Sequence, residues 1–308
     1  MKKTVFIDGA AGTTGLRIHE RLAARTDIDL LILSEEKRKD NAARREALNA
    51  ADIAFLCLPD AAAVEAVSMI ENDRTAVIDT STAHRTAPGW AYGFPELTGR
   101  RATIAASRRI ANPGCHATGF IALIEPLRRA GVIAHDAALS AFSITGYSGG
   151  GKKMIAEYEG EGRDPLLAAP RQYGIGQTHK HLPEMRVIAD LEKAPVFSPI
   201  VAPFYSGMEV TVPLHASVVK ASAEELIALY RAYYQNGLVR VTDAGDEGGF
   251  LSAAAFSGRD DLQISVHGNG DRLLLVARFD NLGKGASGAA IQNMNILLGV
   301  PEDTGLSV

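Results

Sequence analysis

Cys115 follows an Asn112-Pro113-Gly114 turn and opens an apolar stretch with helical spacing. A thiol at a helix start meets free N–H groups and the positive end of the helix dipole. Both favour the thiolate and lower a cysteine pKa from roughly 8.5 toward neutrality. Read alone, Cys115 divides evenly between a nucleophile and a small buried hydrophobe. The only other cysteine, Cys57, lies inside the apolar run Ile53-Ala-Phe-Leu-Cys-Leu58 and reads as inert core. A thiolate nucleophile needs a proton-transfer partner, most often histidine. Of the eight histidines, His179 and His181 stand out, two residues apart in Gln177-Thr-His-Lys-His-Leu-Pro-Glu184. An extended backbone there would point both side chains the same way. His19, His84, His116, His135, His215 and His267 lack such company, although His116 adjoins Cys115. The two cysteines form no CxxC pair, and no metal is expected.

A second constellation lies near the N-terminus. The apolar run Thr4-Val-Phe-Ile7 leads through Asp8 into Gly9-Ala-Ala-Gly12-Thr13-Thr14-Gly15 and then a helical pattern. Glycines let a backbone turn tightly against a pyrophosphate, and the helix start offers donors to it. The spacing is GxxGxxG rather than GxGxxG, so its place after a first strand and before a first helix carries the argument. The next apolar run ends at Leu33 and is followed by Ser34-Glu-Glu-Lys37-Arg38. A serine at the strand end and a basic pair able to fold back on a phosphate favour NADP(H) over NAD. Nicotinamide and a cysteine together suggest an acyl-enzyme that exchanges with hydride. A thioester accepts hydride, and the resulting thiohemiacetal collapses to an aldehyde. The acyl group would enter from an activated carboxylate such as an acyl phosphate.

The elements that must position these residues follow from the pattern. Over the first 110 residues short continuous apolar runs (4–7, 29–33, 53–58 and 75–81) alternate with helix-like segments. Continuous runs mark strands covered on both faces, and repeated βα units give a Rossmann-type doubly wound parallel sheet in an α/β chain. Residues 116–130 read as a helix that Pro126 kinks or interrupts. Beyond it, Met208–His215 and Leu262–Gly268 alternate with period two, which indicates an α+β domain with a largely antiparallel sheet. Residues 223–237 form an amphipathic helix stopped by Gly237, and 286–299 a final small-residue helix. The expected domains are 1–114, with 286–308 packing back on it, and 115–285. The charge of −4 offers no basic field for nucleic acid. No apolar run reaches the roughly 20 residues of a membrane helix, and the N-terminal run is too short for a signal peptide. Two cysteines without a disulfide framework point to the cytoplasm.

The chain resembles the N-acetyl-γ-glutamyl-phosphate reductase family in the shorter of its two forms, within the wider group that contains aspartate-semialdehyde dehydrogenase. The likeness spans the chain. It rests on the Gly9–Gly15 turn, Val77-Ile-Asp-Thr-Ser81 with Arg85, Tyr92-Gly-Phe-Pro-Glu-Leu97 and Asn112-Pro-Gly-Cys-His-Ala-Thr118. Later come Ser148-Gly-Gly-Gly-Lys152, His179-Lys-His-Leu-Pro-Glu184 and Asp280-Asn-Leu-Gly-Lys-Gly-Ala286. Thr80-Ser-Thr-Ala-His84 and the glycine-rich Tyr147–Lys152 loop depart from the longer form. The resemblance implies reduction of an N-acetyl-γ-glutamyl phosphate by NADPH, with Cys115 as nucleophile and a backbone N–H beside it for the oxyanion. It implies His181 as general acid/base, with His179 sharing the role or positioning substrate. Arg85 would bind the substrate phosphate with help from Lys152, Asn112 and Ser148 would contact substrate, and Asn281 and Gly283 would lie near the nicotinamide. A homodimer or homotetramer with a catalytic and dimerisation domain over 115–285 is also implied. Competing readings are another acyl-phosphate reductase such as aspartate-semialdehyde dehydrogenase, a non-catalytic dinucleotide sensor and a cofactor-free cysteine hydrolase.

Overall fold

The structure, a computed structural model, describes residues 2–243 and 245–308. The chain divides into two compact units. One holds residues through Pro95, Gly99–Pro113 and Ala286–Leu306; the other holds Glu96–Thr98, Gly114–Gly285 and Ser307–Val308.

The first unit runs β1 (Lys3–Asp8), α1 (Thr13–Ala23), β2 (Ile28–Leu31), α2 (Asn41–Ala50), β3 (Ile53–Leu56), α3 (Asp60–Ser68), β4 (Ala76–Asp79), β5 (Ala91–Tyr92), α4 (Arg100–Ala106) and β6 (Arg109–Ala111). Its six strands form one sheet in the order β2-β1-β3-β4-β6-β5, parallel at every pairing. The continuous apolar runs have a physical cause. Alternate residues leave the sheet in opposite directions, so Val5, Ile7, Ile53, Phe55, Ile78 and Ile110 enter one core with Ile18 and Leu22 of α1. Phe6, Ala54, Leu56 and Val77 enter another with Leu48 of α2 and Ala66 of α3. β2 stops at Leu31, short of the Leu33 that the apolar run suggests, and leaves Ile32 62% exposed.

The second unit opens with α5 (Cys115–Arg129) and β7 (Ser140–Gly146), then α6 (Gly151–Glu159), β8 (Arg171–Gln172), α7 (Leu182–Ile188), β9 (Val196–Ala202) and β10 (Met208–His215). It closes with α8 (Ala223–Tyr233), β11 (Val239–Val241), β12 (Leu262–Gly268) and β13 (Arg272–Phe279). Seven strands form a mixed sheet, β11-β12-β13-β10-β7-β9-β8. It is antiparallel except where β11 meets β12 and β7 meets β9. Helix α5 lies on this sheet and approaches it closely at Gly119, where a Cβ would fall 2.5 Å from Val210 Cγ2.

Of the two outcomes expected at Pro126, a kink or an interruption, the second does not occur: α5 runs through it from Cys115 to Arg129. Proline lacks the N–H that would bond the carbonyl four residues earlier, which here is Ala122. That carbonyl accepts instead from the Tyr234 hydroxyl at 2.8 Å, and the next one, of Leu123, from the Tyr230 hydroxyl at 2.6 Å. Both hydroxyls come from the end of α8, so a tertiary contact replaces the bond that proline removes.

The last helix, α9 (Gly288–Leu298), returns to the first unit. Ala290, Ile291 and Met294 join the core that holds Val5 and Ile78, and Arg25 Nη1 donates to Asn295 Oδ1 at 2.9 Å. Among the described residues, no helix is long and apolar enough to cross a membrane.

Candidate active site

Cys115 is the first residue of α5, and the Gly114 cap supplies no side-chain hydrogen bond. The N–H groups of a first turn lack intrahelical partners, so this is a place where negative charge on Sγ is favoured. Gly114 N donates to Glu184 Oε1 at 2.9 Å. Glu184 is buried in the first turn of α7 and ties that helix start to the start of α5. Behind the thiol, a Cβ on Gly285 would fall 3.0 Å from Cys115 Cβ, so a bulkier residue there would displace the nucleophile.

His179 and His181 converge, but not along an extended strand. The backbone turns: Leu182 N donates to His179 O at 3.0 Å, and His181 N to His179 Nδ1 at 3.2 Å. This turn sets the two rings edge to face with centroids 4.7 Å apart. A third imidazole joins them. His116 lies 5.4 Å from the His179 ring and 5.6 Å from that of His181, and the Phe197 ring packs on both His116 and His179. His116 Nδ1 is 2.7 Å from Ser143 Oγ and Nε2 is 2.6 Å from the Tyr173 hydroxyl.

Burial, helped by the charge of a protonated His179, pushes the His116 pKa down to about 3. His116 is therefore neutral near pH 7. Burial also raises Tyr173 well above the ordinary phenol range, with the negative charge of Cys115 adding to it. Cys57 is the contrary case: burial raises its thiol pKa to about 12, with the charges of Asp79 and Asp8 adding to the rise and a hydrogen bond with Thr80 opposing it. Sequence reasoning missed His116, Ser143 and Tyr173. The single available signal was the adjacency of His116 to Cys115.

The glycine turn belongs to the first unit. Gly9 has φ +86°, a left-handed conformation, and a Cβ there would fall 2.3 Å from Cys57 O. A Cβ on Gly15 would fall 2.4 Å from Gly9 O, so the turn holds its shape only without side chains. Helix α1 begins at Thr13 with Gly12 as an uncapped N-cap, and the buried Thr13 Oγ1 has no hydrogen-bond partner among the described residues. Beside the turn is a cleft of about 700 Å³, lined on one side by Gly9, Ala10 and Leu16 and on another by Glu35, Arg38, Lys39 and Arg44. Arg44 is tied to Asp8 by a buried ion pair at 2.9 Å, and Arg38 pairs with Glu35 at 2.7 Å. An orphaned hydroxyl, uncapped helix donors and a basic wall fit a phosphorylated dinucleotide. Of the expected residues, Gly9 and Arg38 line the cleft. Ser34 and Lys37 share one turn with Arg38, closed by Lys37 N and Arg38 N donating to Ser34 O, but do not line it.

The remaining expected residues are held as follows. Arg85 donates from Nε to Asn112 O at 3.0 Å and from Nη2 to Thr80 O at 3.1 Å. The turn before it is fixed by Asp79, which accepts from Ser81 N and Oγ and lies 2.6 Å from His84 Nδ1. Asn112 Nδ2 donates to Ala286 O and Oδ1 accepts from Asn293, so its amide braces the approach to Cys115 within the first unit. Asn281 Nδ2 donates to Ser148 Oγ at 3.1 Å, and Oδ1 accepts from Gly207 N. Those two side chains are buried against each other, whereas Lys152 is exposed on α6. Gly283 N donates to Asp280 O at 3.1 Å, and a Cβ on Gly283 would fall 2.0 Å from Arg259 O. Lys284, next in the chain, forms a fully buried pair with Glu96 at 2.8 and 2.9 Å.

Residues 4–106 match the NAD-binding domain of semialdehyde dehydrogenases, and residues 115–281 match the semialdehyde dehydrogenase dimerisation domain. The chain is 46% identical to an N-acetyl-gamma-glutamyl-phosphate reductase of Burkholderia ambifaria over 96% of both chains. It is 45% identical to one of Sinorhizobium fredii over 97% of this chain and 99% of that one. Among solved structures, aspartate semialdehyde dehydrogenase II of Vibrio cholerae superposes with TM-score 0.75 at 17% identity, over 97% of this chain and 99% of that one. That likeness shows the fold.

Proposed function

The chain belongs to the N-acetyl-γ-glutamyl-phosphate reductase family, and on that premise we propose that it converts N-acetyl-γ-glutamyl phosphate and NADPH to N-acetylglutamate γ-semialdehyde, phosphate and NADP in cytoplasmic arginine biosynthesis. The observation that carries this reading is a cysteine at an uncapped helix start beside a turn that presents two histidines.

Cys115 Sγ attacks the acyl carbon, phosphate leaves, and a thioester remains on the chain. The helix donors at the start of α5 stabilise the oxyanion of each tetrahedral species. Arg85 and Lys152 hold the phosphate, Asn112 acts on the substrate through the backbone it braces, and Ser148 through the Asn281 amide it holds. The dinucleotide is held by the Gly9–Gly15 turn with Thr13 and Thr14, by Arg38 at the ribose phosphate on the turn that Ser34 and Lys37 close, and by Asn281 and Gly283 toward the nicotinamide. When bound, NADPH supplies the hydride that reduces the thioester carbon. His181 gives a proton to the oxygen of the resulting thiohemiacetal and takes it back as the C–S bond breaks to release the aldehyde. His179 holds His181 in place and shares its proton.

The protein acts as a homodimer or homotetramer through the outer face of the second sheet. Phe142, Val196 and Leu274 share that face by register and are 48%, 62% and 40% exposed. The test of function is the reverse reaction. N-acetylglutamate γ-semialdehyde, phosphate and NADP should yield NADPH, and Cys115→Ser and His181→Asn should each abolish the signal. Faster turnover of aspartate semialdehyde would overturn the substrate assignment.

A further inference from the structure

The two histidines stand on a turn rather than on a strand, and something must hold that turn. Strand β8 is only two residues long and pairs with Ile200 and Val201 of β9. Tyr173 N continues the ladder by donating to Pro199 O at 3.0 Å, after which the chain leaves the sheet at Gly174. Phe197, further along the same edge, would then present a bare N–H and C=O. Both are taken by one side chain. Gln177 Nε2 donates to Phe197 O at 2.8 Å, and Gln177 Oε1 accepts from Phe197 N at 2.9 Å. A primary amide has one donor side and one acceptor side, so it can imitate a strand residue at a position the backbone has left.

Gln177 reaches this position at a conformational cost. Its φ is 54°, one of only two positive values among described non-glycine residues, and its N donates to Gly174 O at 3.0 Å to close the turn. Left-handed backbone is unfavourable for a residue such as glutamine unless the surroundings over-determine it. Two residues later comes His179, whose ring packs 5.2 Å from the Phe197 ring. Phe197 in turn packs on His116. The amide thus ties the backbone of the histidine turn to the strand whose ring backs the imidazoles.

We propose that Gln177 is a positioning residue: its amide clamps Phe197 and thereby fixes the turn that presents His179 and His181 to Cys115. This rests on the reductase reading above, and it adds a residue that touches neither substrate nor cofactor. Misplacing a catalytic group by about 1 Å can lower turnover by roughly 100-fold. Losing the clamp should therefore act on kcat rather than on binding.

The experiment compares Gln177→Asn, Gln177→Glu and Gln177→Ala. Asparagine tolerates left-handed backbone better than glutamine but is one methylene too short to span to Phe197. Glutamate keeps the length and the acceptor but loses the donor. The expected result is kcat lowered about 10- to 100-fold in the asparagine and alanine variants and less in the glutamate variant. KM for the acyl phosphate and the dissociation constant for NADPH should stay within about twofold in all three, with thermal midpoints near that of the parent. Wild-type kcat in Gln177→Asn would overturn the proposal by showing that only backbone conformation matters. So would parallel losses of kcat, KM and thermal midpoint, the mark of general destabilisation. A second readout needs no substrate: the rate at which iodoacetamide alkylates Cys115, followed against pH, should trace a profile of different shape in Gln177→Asn from that of the parent, and an identical profile would overturn the proposal. If the parent reduces no acyl phosphate, the functional reading fails while the alkylation profile still decides for or against the clamp.

Discussion

His116 shows how much one residue's surroundings decide. Its two ring nitrogens face two hydroxyls, Ser143 Oγ and Tyr173 OH, an arrangement a neutral imidazole satisfies by donating to one and accepting from the other. Burial holds its native pKa at about 3, below the ordinary 6.5. As pH falls below 6.5 the unfolded chain takes a proton that the native chain refuses, so the stability this residue contributes at neutral pH is lost progressively between 6.5 and 3. From pH 7 to pH 5 the loss is about 2 kcal/mol. Urea unfolding at the two pH values should show His116→Gln losing less stability than the parent by about that amount; equal losses would refute it. Cys115 was legible in sequence because a Pro-Gly turn before an apolar run marks a helix start. His116 was not, because its partners lie 27 and 57 residues away. For the same reason the Lys284–Glu96 pair, 188 residues apart in the chain, was invisible. Local pattern shows what a residue is next to along the chain and leaves open what folds over it.

At the scale of elements, the first sheet was readable because continuous apolar runs have one economical explanation, burial on both faces. Alternation in Met208–His215 and Leu262–Gly268 was equally readable, since Val210, Val212, Ile264 and their alternates do face one core. At two places tertiary contacts decide what the local pattern leaves open. Beside the turn that carries His179 and His181, the Gln177 side chain supplies strand-like bonds to Phe197. Helix α5 passes Pro126 because Tyr234 supplies the missing donor. The second case predicts a double-mutant cycle. Tyr234→Phe should cost about 1–3 kcal/mol by leaving the Ala122 carbonyl buried without that donor. Adding Pro126→Ala restores a backbone N–H at the right place, so the double variant should recover most of the loss in denaturant unfolding. Additive losses would mean that the hydroxyl is not compensating for the proline.

At the scale of the whole molecule, the proposed assembly would cover the outer face of the second sheet. An exposed phenylalanine, valine and leucine aligned by strand register are unusual on a solvated sheet face. Phe142→Glu together with Leu274→Arg would place charges on that face, and like charges across a self-complementary contact repel. Light scattering should then report a mass near 32.7 kDa, that of one chain, where the parent gives a multiple of it. A parent of single-chain mass would remove the face from the assembly.

The first unit is assembled from both ends of the sequence, and this has a consequence for how the protein is made. Ile78, Ile104 and Ile110 share a core with Ala290, Ile291 and Met294 of α9. A ribosome adding about 5–20 residues per second needs roughly ten to forty seconds to go from the end of β6 to the end of α9. During that interval most of the unit has emerged while one side of its core has nothing to close on. The nascent chain therefore exposes an aliphatic surface for far longer than a helix or hairpin takes to form, which makes it a client for whatever shields new chains at the tunnel exit. A circular permutation that joins the natural ends and opens the chain after β6 would let α9 emerge before β1, and would shorten that wait.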